Sequence, residues 1–489
     1  MSTLEESSEV LARRDRTSLV PAAICGLAFL VIASVDYVLK PLSTSTYWFV
    51  AFGPVVFVLT QVTFPAVRFR PAGALSPSNW MWILFFVQLV AIPSALLTWG
   101  PTLGQLSALP PTRFIAEAFA VQCLSFIAYA LGFEWVTRRP RRTAPPELVT
   151  MPSLLTALVF IGLGLVGIAL TFRSPAALLS YLSGHFVPSH SKGGGASLTA
   201  VAGTFLKPFG AYGFILLWAR TAQRATSHRI QVLAYAAGAL LILSTYSYNR
   251  SALVIPLVAM VSAYSTHIRR ISLPALVVAG SIVLIAALLF GQYRSTQFRT
   301  EGGRITPPSH VRTDATPSSV VQLEIYGQAP QFQAIIEENL GTGGSYRLGQ
   351  TVLPEAFSPI PKIGRIFRSS TATQEYNQLI YQNTTTADQI APFEGEMVWN
   401  FTLIGELIAM IILGSVLARF HRRFMTSTSV LDAYILQYLA LWLGMLVVES
   451  VLDVSQVIIY FTLPIAVLWL IQRPKRRSSS ASLQHVGHG

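Results

Sequence analysis

Long apolar blocks are the feature that most restricts how this chain can fold. They are about 20 residues long, the length that a helix needs to cross a hydrocarbon core of about 30 Å. Only 12% of the residues are charged, about half the fraction of a soluble domain, which excludes a water-soluble enzyme. We predict an all-α polytopic membrane protein with about twelve transmembrane helices. The predicted spans are 18–38, 46–66, 79–99, 113–135, 152–171, 198–219, 230–247, 251–266, 271–290, 399–418, 430–449 and 454–471.

The distribution of Lys and Arg predicts the orientation of these spans. With the N-terminus in the cytoplasm, 21 of the 35 basic residues lie in cytoplasmic tails and loops, and the short outer loops hold five. The positive-inside rule then places both termini in the cytoplasm. This topology explains the net charge of +13 and sets the basic loops beside anionic lipid.

Two predicted outer segments are longer than a simple connection requires, namely 172–197 after span five and 291–398 after span nine. The second has 8 basic and 10 acidic residues, so it is nearly neutral and is not a nucleic-acid surface. We expect one or two short helices over 320–340, broken near Gly327 and Pro330, and turns with another short helix over 341–367. We also expect the protein to act on this outer side. The other predicted parts are a tail at 1–17, a bundle at 18–290, spans ten to twelve at 399–471 and a disordered tail at 472–489.

Arg250 is the first candidate for binding an anion, because it lies in the outer turn between spans seven and eight. A guanidinium is always charged and can fork onto phosphate oxygens, and Tyr248 could donate a further hydrogen bond. The alternative is an arginine that only snorkels to lipid phosphate. Other basic candidates in the outer segments are Arg173, Arg294, Arg299, Arg347 and Arg365.

Glu394 and Glu396 are the candidate bases, since they lie where the long outer segment returns to the membrane. A carboxylate can accept a proton from a hydroxyl nucleophile. If the backbone is extended there, the two side chains lie on one side, whereas on a helix they would point about 200° apart. Glu406 lies inside span ten, where an acid is costly and indicates either a role or a buried hydrogen bond to another helix. Carboxylates at the predicted membrane surface are weaker candidates: Asp36, Glu449 and Asp453.

Several cofactor motifs are absent from the sequence. There is no Walker loop, HExxH, Gly-x-Ser-x-Gly or Cys-x-x-Cys pattern, so we predict no cofactor and metal-independent chemistry. Cys25 and Cys123 both fall inside predicted spans, which makes a disulfide framework or a metal cluster implausible.

Three stretches carry a resemblance to a known family. They are TYSYNRSALVIPLV (245–258), SYRLGQTVLPEAFSPIPK (345–362) and PFEGEMVWNFTLIGE (392–406). With the span pattern, they resemble the bacterial O-antigen or capsule oligosaccharide repeat-unit polymerases, the Wzy-type integral membrane glycosyltransferases. Thr402 stands where a glycine is common in that family.

The resemblance implies a polymerase at the outer face of the bacterial cytoplasmic membrane that joins polyprenyl-pyrophosphate-linked oligosaccharides. Arg250, helped by Arg294 or Arg299, would hold the leaving pyrophosphate. Arg347 or Arg365 would hold the second lipid-linked unit, and a glutamate would act as the base. A chain-length regulator and a flippase are the protein partners that it suggests.

Three other functions stay open at the level of sequence. A secondary transporter is the main rival, and it would use Lys207 beside Pro208 in span six. An O-antigen ligase-like glycosyltransferase would use a histidine in the large outer segment, where His310 is the only one. A structural scaffold would explain the spans but not Arg250.

Overall fold

A computed structural model describes residues 46–70, 75–103, 106, 108–139, 149–172, 174–182, 198–223, 229–245, 251–272, 274–275, 328–360, 366, 371–381 and 389–472. Within these ranges the regular structure is helical and no strand occurs. Helices satisfy their own backbone hydrogen bonds, which lipid cannot do for them. The prediction of an all-α membrane protein is therefore confirmed for the described part of the chain.

Fifteen helices are described, and we number them in chain order. The first eight are α1 (Phe52–Thr63), α2 (Pro77–Trp99), α3 (Thr112–Arg138), α4 (Leu154–Phe172), α5 (Pro175–Leu182), α6 (Leu198–Ala222), α7 (Arg229–Ser244) and α8 (Ser251–His267). The other seven are α9 (Pro330–Gly341), α10 (Val352–Phe357), α11 (Ala372–Tyr381), α12 (Phe393–Thr426), α13 (Val430–Gly444), α14 (Val451–Phe461) and α15 (Leu463–Gln472).

Six of these helices are long and apolar enough to cross a membrane, and α14 with α15 makes a seventh span if the 43° bend between them is counted as one break. They include α2, α3, α4, α6 and α12, and the sixth joins α13 to the turn that follows it. Three shorter apolar helices occupy predicted spans two, seven and eight. Span one and nearly all of span nine fall outside the described residues. Twelve spans and their orientation therefore stay predictions, whereas the membrane-embedded architecture is clear.

Two helix pairs pack so closely that only glycine fits at their crossings. In the α3–α12 pair, a Cβ added at Gly132 would lie 2.1 Å from the Ile411 carbonyl oxygen, and one at Gly414 would lie 2.1 Å from the Tyr129 carbonyl oxygen. In the α4–α6 pair, a Cβ at Gly164 would lie 2.2 Å from the Gly210 Cα. Small residues that bring backbones together are the usual basis of helix association in lipid, where the hydrophobic effect contributes little.

Three short helices of the long segment pack against one end of this bundle. Ala334 of α9 lies in a small core with Phe114, Ile115 and Ala118 near the start of α3. Ile336 of α9 shares another core with α11 and with Trp399 of α12. Helix α9 therefore packs on the Thr112 end of α3, opposite the end at Arg138, and joins α11 and the start of α12 to it.

The structure confirms two predicted features of this segment and corrects two others. A break near Pro330 and a short helix within 341–367 were both predicted, and α9 and α10 confirm them. Helix α11 was not predicted, because its sequence is polar and only Ala372, Tyr376 and Asn377 are buried. Span ten was predicted to begin at residue 399, but α12 begins at Phe393 and takes both candidate glutamates into its first turn.

Candidate functional site

Most of the predicted anion-binding residues lie outside the described part of the chain. These residues are Arg173, Tyr248, Arg250, Arg294, Arg299 and Arg365. The remaining candidates are Arg347 and the two predicted bases, Glu394 and Glu396, and these three lie within one region at the start of α12. Their surroundings define the candidate site.

Glu394 and Glu396 point to opposite sides of α12, as helical geometry predicts. Both side chains are fully buried, with 0% exposure. Glu394 accepts a 2.7 Å hydrogen bond from the Gln88 amide of α2. Glu396 instead faces α10 and α14, where its carboxylate accepts from the Val451 backbone N–H at 3.3 Å. The two carboxyl groups thus belong to two separate polar clusters.

The first cluster lies between α2, α3 and α12. Ser125 of α3 donates a short hydrogen bond to Glu406, which is also fully buried, and the Glu394 and Glu406 carboxyl groups are close enough to interact electrostatically. Gln88 lies in a π-helical turn, Val87–Ala91, that interrupts α2. Such turns widen a helix and often occur at functional sites. The buried hydrogen bond from another helix, one of the two alternatives for Glu406, is therefore observed, and a functional role for this residue stays a prediction.

Buried glutamines extend this cluster toward the long segment. Gln122 of α3 donates to the Gln328 carbonyl at 3.1 Å, and the Gln328 amide donates to the Leu84 carbonyl of α2 at 3.1 Å. Gln88, Gln122 and Gln328 are all fully buried. The residues just before α9 therefore insert between two spans. Polar groups at such depth are costly unless they are paired, so their concentration here indicates a specific purpose.

The second cluster joins α10 to the start of α14. Glu355 of α10 accepts from the Thr373 N–H at 2.7 Å and from the Leu452 N–H at 3.0 Å. Its carboxyl group lies close enough to that of Glu396 for the two to interact electrostatically, and two buried carboxyl groups so placed favour a state in which only one of them is ionised. Burial raises the pKa of Glu355, and the interactions with Glu396, Thr373 and Leu452 oppose part of that rise.

Arg347 lies beside this region, but its guanidinium already has partners. It forms a 2.7 Å ion pair with Glu375 of α11 and lies 5.4 Å from the centre of the Trp399 ring. Burial raises the pKa of Glu375, and the charge of Arg347 opposes that rise. A ligand would have to share Arg347 with Glu375, which weakens the prediction that this arginine freely binds a second lipid-linked unit.

A backbone break in α12 separates the two candidate glutamates from Glu406. Thr402 has φ 62° and ψ 178°, a conformation that glycine adopts and other residues almost never do. The carbonyl of Trp399 is freed from the helical ladder and accepts from the Arg347 N–H at 2.8 Å. The Asn400 amide donates to the Thr351 hydroxyl at 2.7 Å. Residues 347–351 therefore cap the short helix that carries Glu394 and Glu396.

The structure thus brings two of the three resemblance stretches into direct contact. SYRLGQTVLPEAFSPIPK supplies Arg347, Thr351 and Glu355, and PFEGEMVWNFTLIGE supplies Glu396 and Asn400. The third stretch, 245–258, is only partly described. Thr402 lies where the family commonly has glycine, and its backbone has the conformation that glycine adopts.

Sequence reasoning missed six residues of this region: Gln88, Gln122, Ser125, Gln328, Glu355 and Glu375. Glu355 lies in a resemblance stretch and could have been noticed there, and Gln88 could have been noticed as an amide inside an apolar block. Within the ranges that the structure describes, no group of three or more His, Cys, Asp or Glu side chains is arranged to hold a metal ion.

Comparisons with protein-family models, curated proteins and solved structures find no match. Three observations therefore bear on the function: the membrane architecture, the buried carboxyl clusters and the resemblance of the stretches that form them.

Proposed function

We propose that this protein is an integral-membrane glycosyltransferase that polymerises polyprenyl-pyrophosphate-linked oligosaccharide repeat units into a surface polysaccharide. The observation that carries the proposal is the contact between the two resemblance stretches. They lie about 40 residues apart in the sequence, yet they meet through Glu355 and Glu396 and through Thr351 and Asn400. Two stretches that resemble one family and form one buried site support that family's chemistry.

In the proposed reaction, the terminal hydroxyl of one lipid-linked unit attacks the anomeric carbon of the glycan on another. A glycosidic bond forms, the bond from carbon to pyrophosphate oxygen breaks, and polyprenyl pyrophosphate leaves. A carboxylate takes the hydroxyl proton. Glu396 is our first choice for this base, because it lies beside Glu355 in a buried carboxyl pair that we propose holds one proton and one negative charge. Glu394, on the opposite side of α12, is the second choice.

The leaving pyrophosphate needs fixed positive charge. Arg250, with Tyr248 beside it, is proposed to supply this, and Arg294 or Arg299 would add to it. Arg365 or Arg347 is proposed to hold the second unit, and Arg347 would do so by exchanging Glu375 for the ligand. Arg173 is a further candidate for binding the substrate. The reaction is proposed to need no metal and no cofactor.

Burial of the carboxyl pair sets a condition on substrate access. Glu355 and Glu396 both have 0% exposure, and residues 351–360 cover them along α14, where Tyr460 donates to the Pro359 carbonyl at 2.6 Å. We propose that the lipid-linked substrate displaces this covering segment, which then excludes water and limits hydrolysis. The site is proposed to face the outside of the bacterial cytoplasmic membrane, near a flippase and a chain-length regulator.

Replacement of the chromosomal gene by variants tests this proposal. Arg250→Ala and Glu396→Gln should each abolish polymer and leave single lipid-linked repeat units to accumulate, as surface glycans on a gel and extracted lipids would show. Arg113→Ala is the matched control, since Arg113 is exposed and stacks on Phe114 at 4.3 Å away from the carboxyl pair. Long polymer made by a membrane-inserted Arg250→Ala protein would contradict the proposal.

A proton-coupled carrier is the second candidate, and the buried pair Glu394 and Glu406 inside the spans is the observation that favours it. Lys207, the residue that a carrier hypothesis would first use, donates to the Thr245 carbonyl at 3.0 Å, so it caps the end of α7. If Glu406→Gln stopped pH-driven uptake into proteoliposomes while polymer formation continued, the carrier would be the better assignment.

A further inference from the structure

A cationic cavity lies at the Arg138 end of α3, opposite the end where the long segment packs. Helix α3 has 27 residues and so spans about 40 Å, which separates this cavity from the carboxyl clusters. Its volume is about 260 Å³, and it is lined by Arg68, Arg70, Arg138 and Glu134. Three guanidinium groups and one carboxylate therefore face one space.

The carboxylate in this cavity already has its partners. One oxygen of Glu134 accepts from the Arg138 Nε at 2.8 Å, and the other accepts from the Ala66 N–H at 2.8 Å. Glu134 thus ties the turn after α1 to α3 and cannot neutralise all three arginines. Two positive charges are left over among these lining residues.

Two of the arginines are held in place. The Arg68 Nε and Nη2 donate to the Gln61 and Val62 carbonyls at 2.8 and 3.2 Å, which satisfies the end of α1. The backbone of Arg70 is bound on both sides by the Asn79 amide, at 2.9 and 2.7 Å. A snorkelling arginine extends alone into the headgroups, whereas these three arginines line one cavity, where the Arg68 guanidinium and the Arg70 backbone are held in place. Guanidinium groups with N–H groups left to donate match the oxygens of a phosphate.

Apolar side chains beside the cavity indicate where its ligand comes from. Val62 of α1 and Trp135 of α3 are 53% and 55% exposed, and both lie on apolar helices within a turn or two of the cavity. Acyl chains could run along these side chains while the headgroup lies between the arginines. A soluble ion would gain no binding energy from such an apolar surface.

We infer that Arg68, Arg70 and Arg138 form a binding site for the phosphate of an anionic lipid headgroup, at the opposite end of the bundle from the proposed transfer site. Arg70 and Arg138 provide the selective part of the site, since Arg68 also supports α1. This inference does not rest on the proposed function, because it uses none of the same residues.

Lipid binding to the purified full-length protein tests it. Short-chain phosphatidic acid should bind, and the double variant Arg70→Gln/Arg138→Gln should raise its Kd about tenfold or more, because a hydrogen bond to a charged group contributes about 1.5–3 kcal/mol. The matched control is Arg269→Gln/Arg270→Gln, which removes the same charge from exposed positions after α8 and should change Kd less than about twofold.

Two further ligands distinguish the sources of phosphate. Short-chain phosphatidylcholine should bind weakly, and equal binding of it would overturn the inference. Displacement of phosphatidic acid by millimolar inorganic phosphate would keep the site but assign it to a soluble phosphate. Equal losses in both double variants would show a general charge effect and overturn the inference. If the double variant is misfolded by gel filtration, Arg70→Gln alone decides, because no side-chain hydrogen bond of Arg70 is seen within the described residues.

Discussion

The break at Thr402 leads to a prediction with an unusual sign, in which a glycine inside a transmembrane helix stabilises the protein. A non-glycine residue in this backbone conformation costs about 1–3 kcal/mol. Glycine removes that strain but costs about 0.5–1 kcal/mol in backbone entropy. The Thr402 side chain is partly exposed, so few contacts are lost. Thr402→Gly should therefore raise the free energy of unfolding by about 1 kcal/mol, the centre of a range of about 0–2.5 kcal/mol.

The neighbouring Gly405 provides a substitution of opposite sign. The break turns the chain so that a Cβ added at Gly405 would lie 2.1 Å from the Phe401 Cβ, a distance that no pair of such atoms adopts. Gly405→Ala should therefore destabilise the protein by about 1–3 kcal/mol through overpacking. In an uninterrupted helix both signs would reverse, because alanine gains about 1 kcal/mol over glycine there and glycine is slightly worse than threonine.

The buried thiol of Cys123 offers the assay. It is 8% exposed within α3, and it becomes the only thiol in a Cys25→Ser background, since the chain has two cysteines. A maleimide dye that fluoresces on reaction then reports thermal unfolding of the purified protein. A change of 1 kcal/mol shifts Tm by about 2–4 °C in chains of 150–250 residues and by less in a longer one.

Thr402→Ala is the control for this experiment. It removes the branched side chain but keeps the Cβ that conflicts with the backbone, so it should recover little stability. A Thr402→Gly protein that melts below the wild type, or no higher than Thr402→Ala, would refute a glycine-type break at this position. The combination of a stabilising Thr402→Gly and a destabilising Gly405→Ala is expected only from the observed geometry.

Three further predictions concern other parts of the structure. Burial raises the pKa of Glu337 from 4.5 to about 7. Stability should therefore fall as the pH rises from about 4.5 to about 7, because in this range the unfolded chain has lost the proton and the folded protein still holds it. Glu337→Gln should flatten a plot of Tm against pH, and an unchanged slope would refute this. Glu355→Gln and Glu396→Gln should each lower Tm, and a double-mutant cycle should show a coupling of about 0.5–3 kcal/mol; additive losses would show that they do not share a proton. Gly414→Ala should cost about 1–3 kcal/mol by forcing α3 and α12 apart, while Gly162→Ala, with open space around it, should be neutral or stabilising, and equal effects would contradict the tight crossing.

The sequence was sufficient where structure follows from local pattern. Apolar blocks predicted the positions of α2, α3, α4, α6 and α13 to within a few residues. The proline at 330 predicted where α9 begins, because proline is tolerated at the first turn of a helix. The divergence of Glu394 and Glu396 was one of two alternatives, and the start of α12 at Phe393 decides for the helical one. None of these predictions needs information from a distant part of the chain.

The contacts that define the site could not be predicted in this way. Gln88 and Glu394 are 306 positions apart, and Glu355 meets Glu396 only because α10 packs against α14. Neither contact leaves a periodic signal in the sequence. Helix α11 was missed for a related reason, since its few buried residues are defined by the tertiary structure and not by an apolar stripe. The cationic cavity lined by Arg68, Arg70 and Arg138 was also not predicted, because the positive-inside rule already explained these arginines.

The unsatisfied carboxylate oxygens connect the two candidate functions. One oxygen each of Glu394, Glu396 and Glu406 is buried without a donor among the described residues, and such an acceptor costs about 1–3 kcal/mol if nothing donates to it. A proton can meet this need in either function, and in the proposed polymerase a sugar hydroxyl would donate to Glu396. The polymerase therefore predicts that a soluble repeat-unit oligosaccharide protects Cys123 from the dye in the wild type and not in Glu396→Gln. If the protein is instead a carrier that uses Glu394 and Glu406, Glu406→Gln should change how well the oligosaccharide protects Cys123 from the dye, and Glu396→Gln should not.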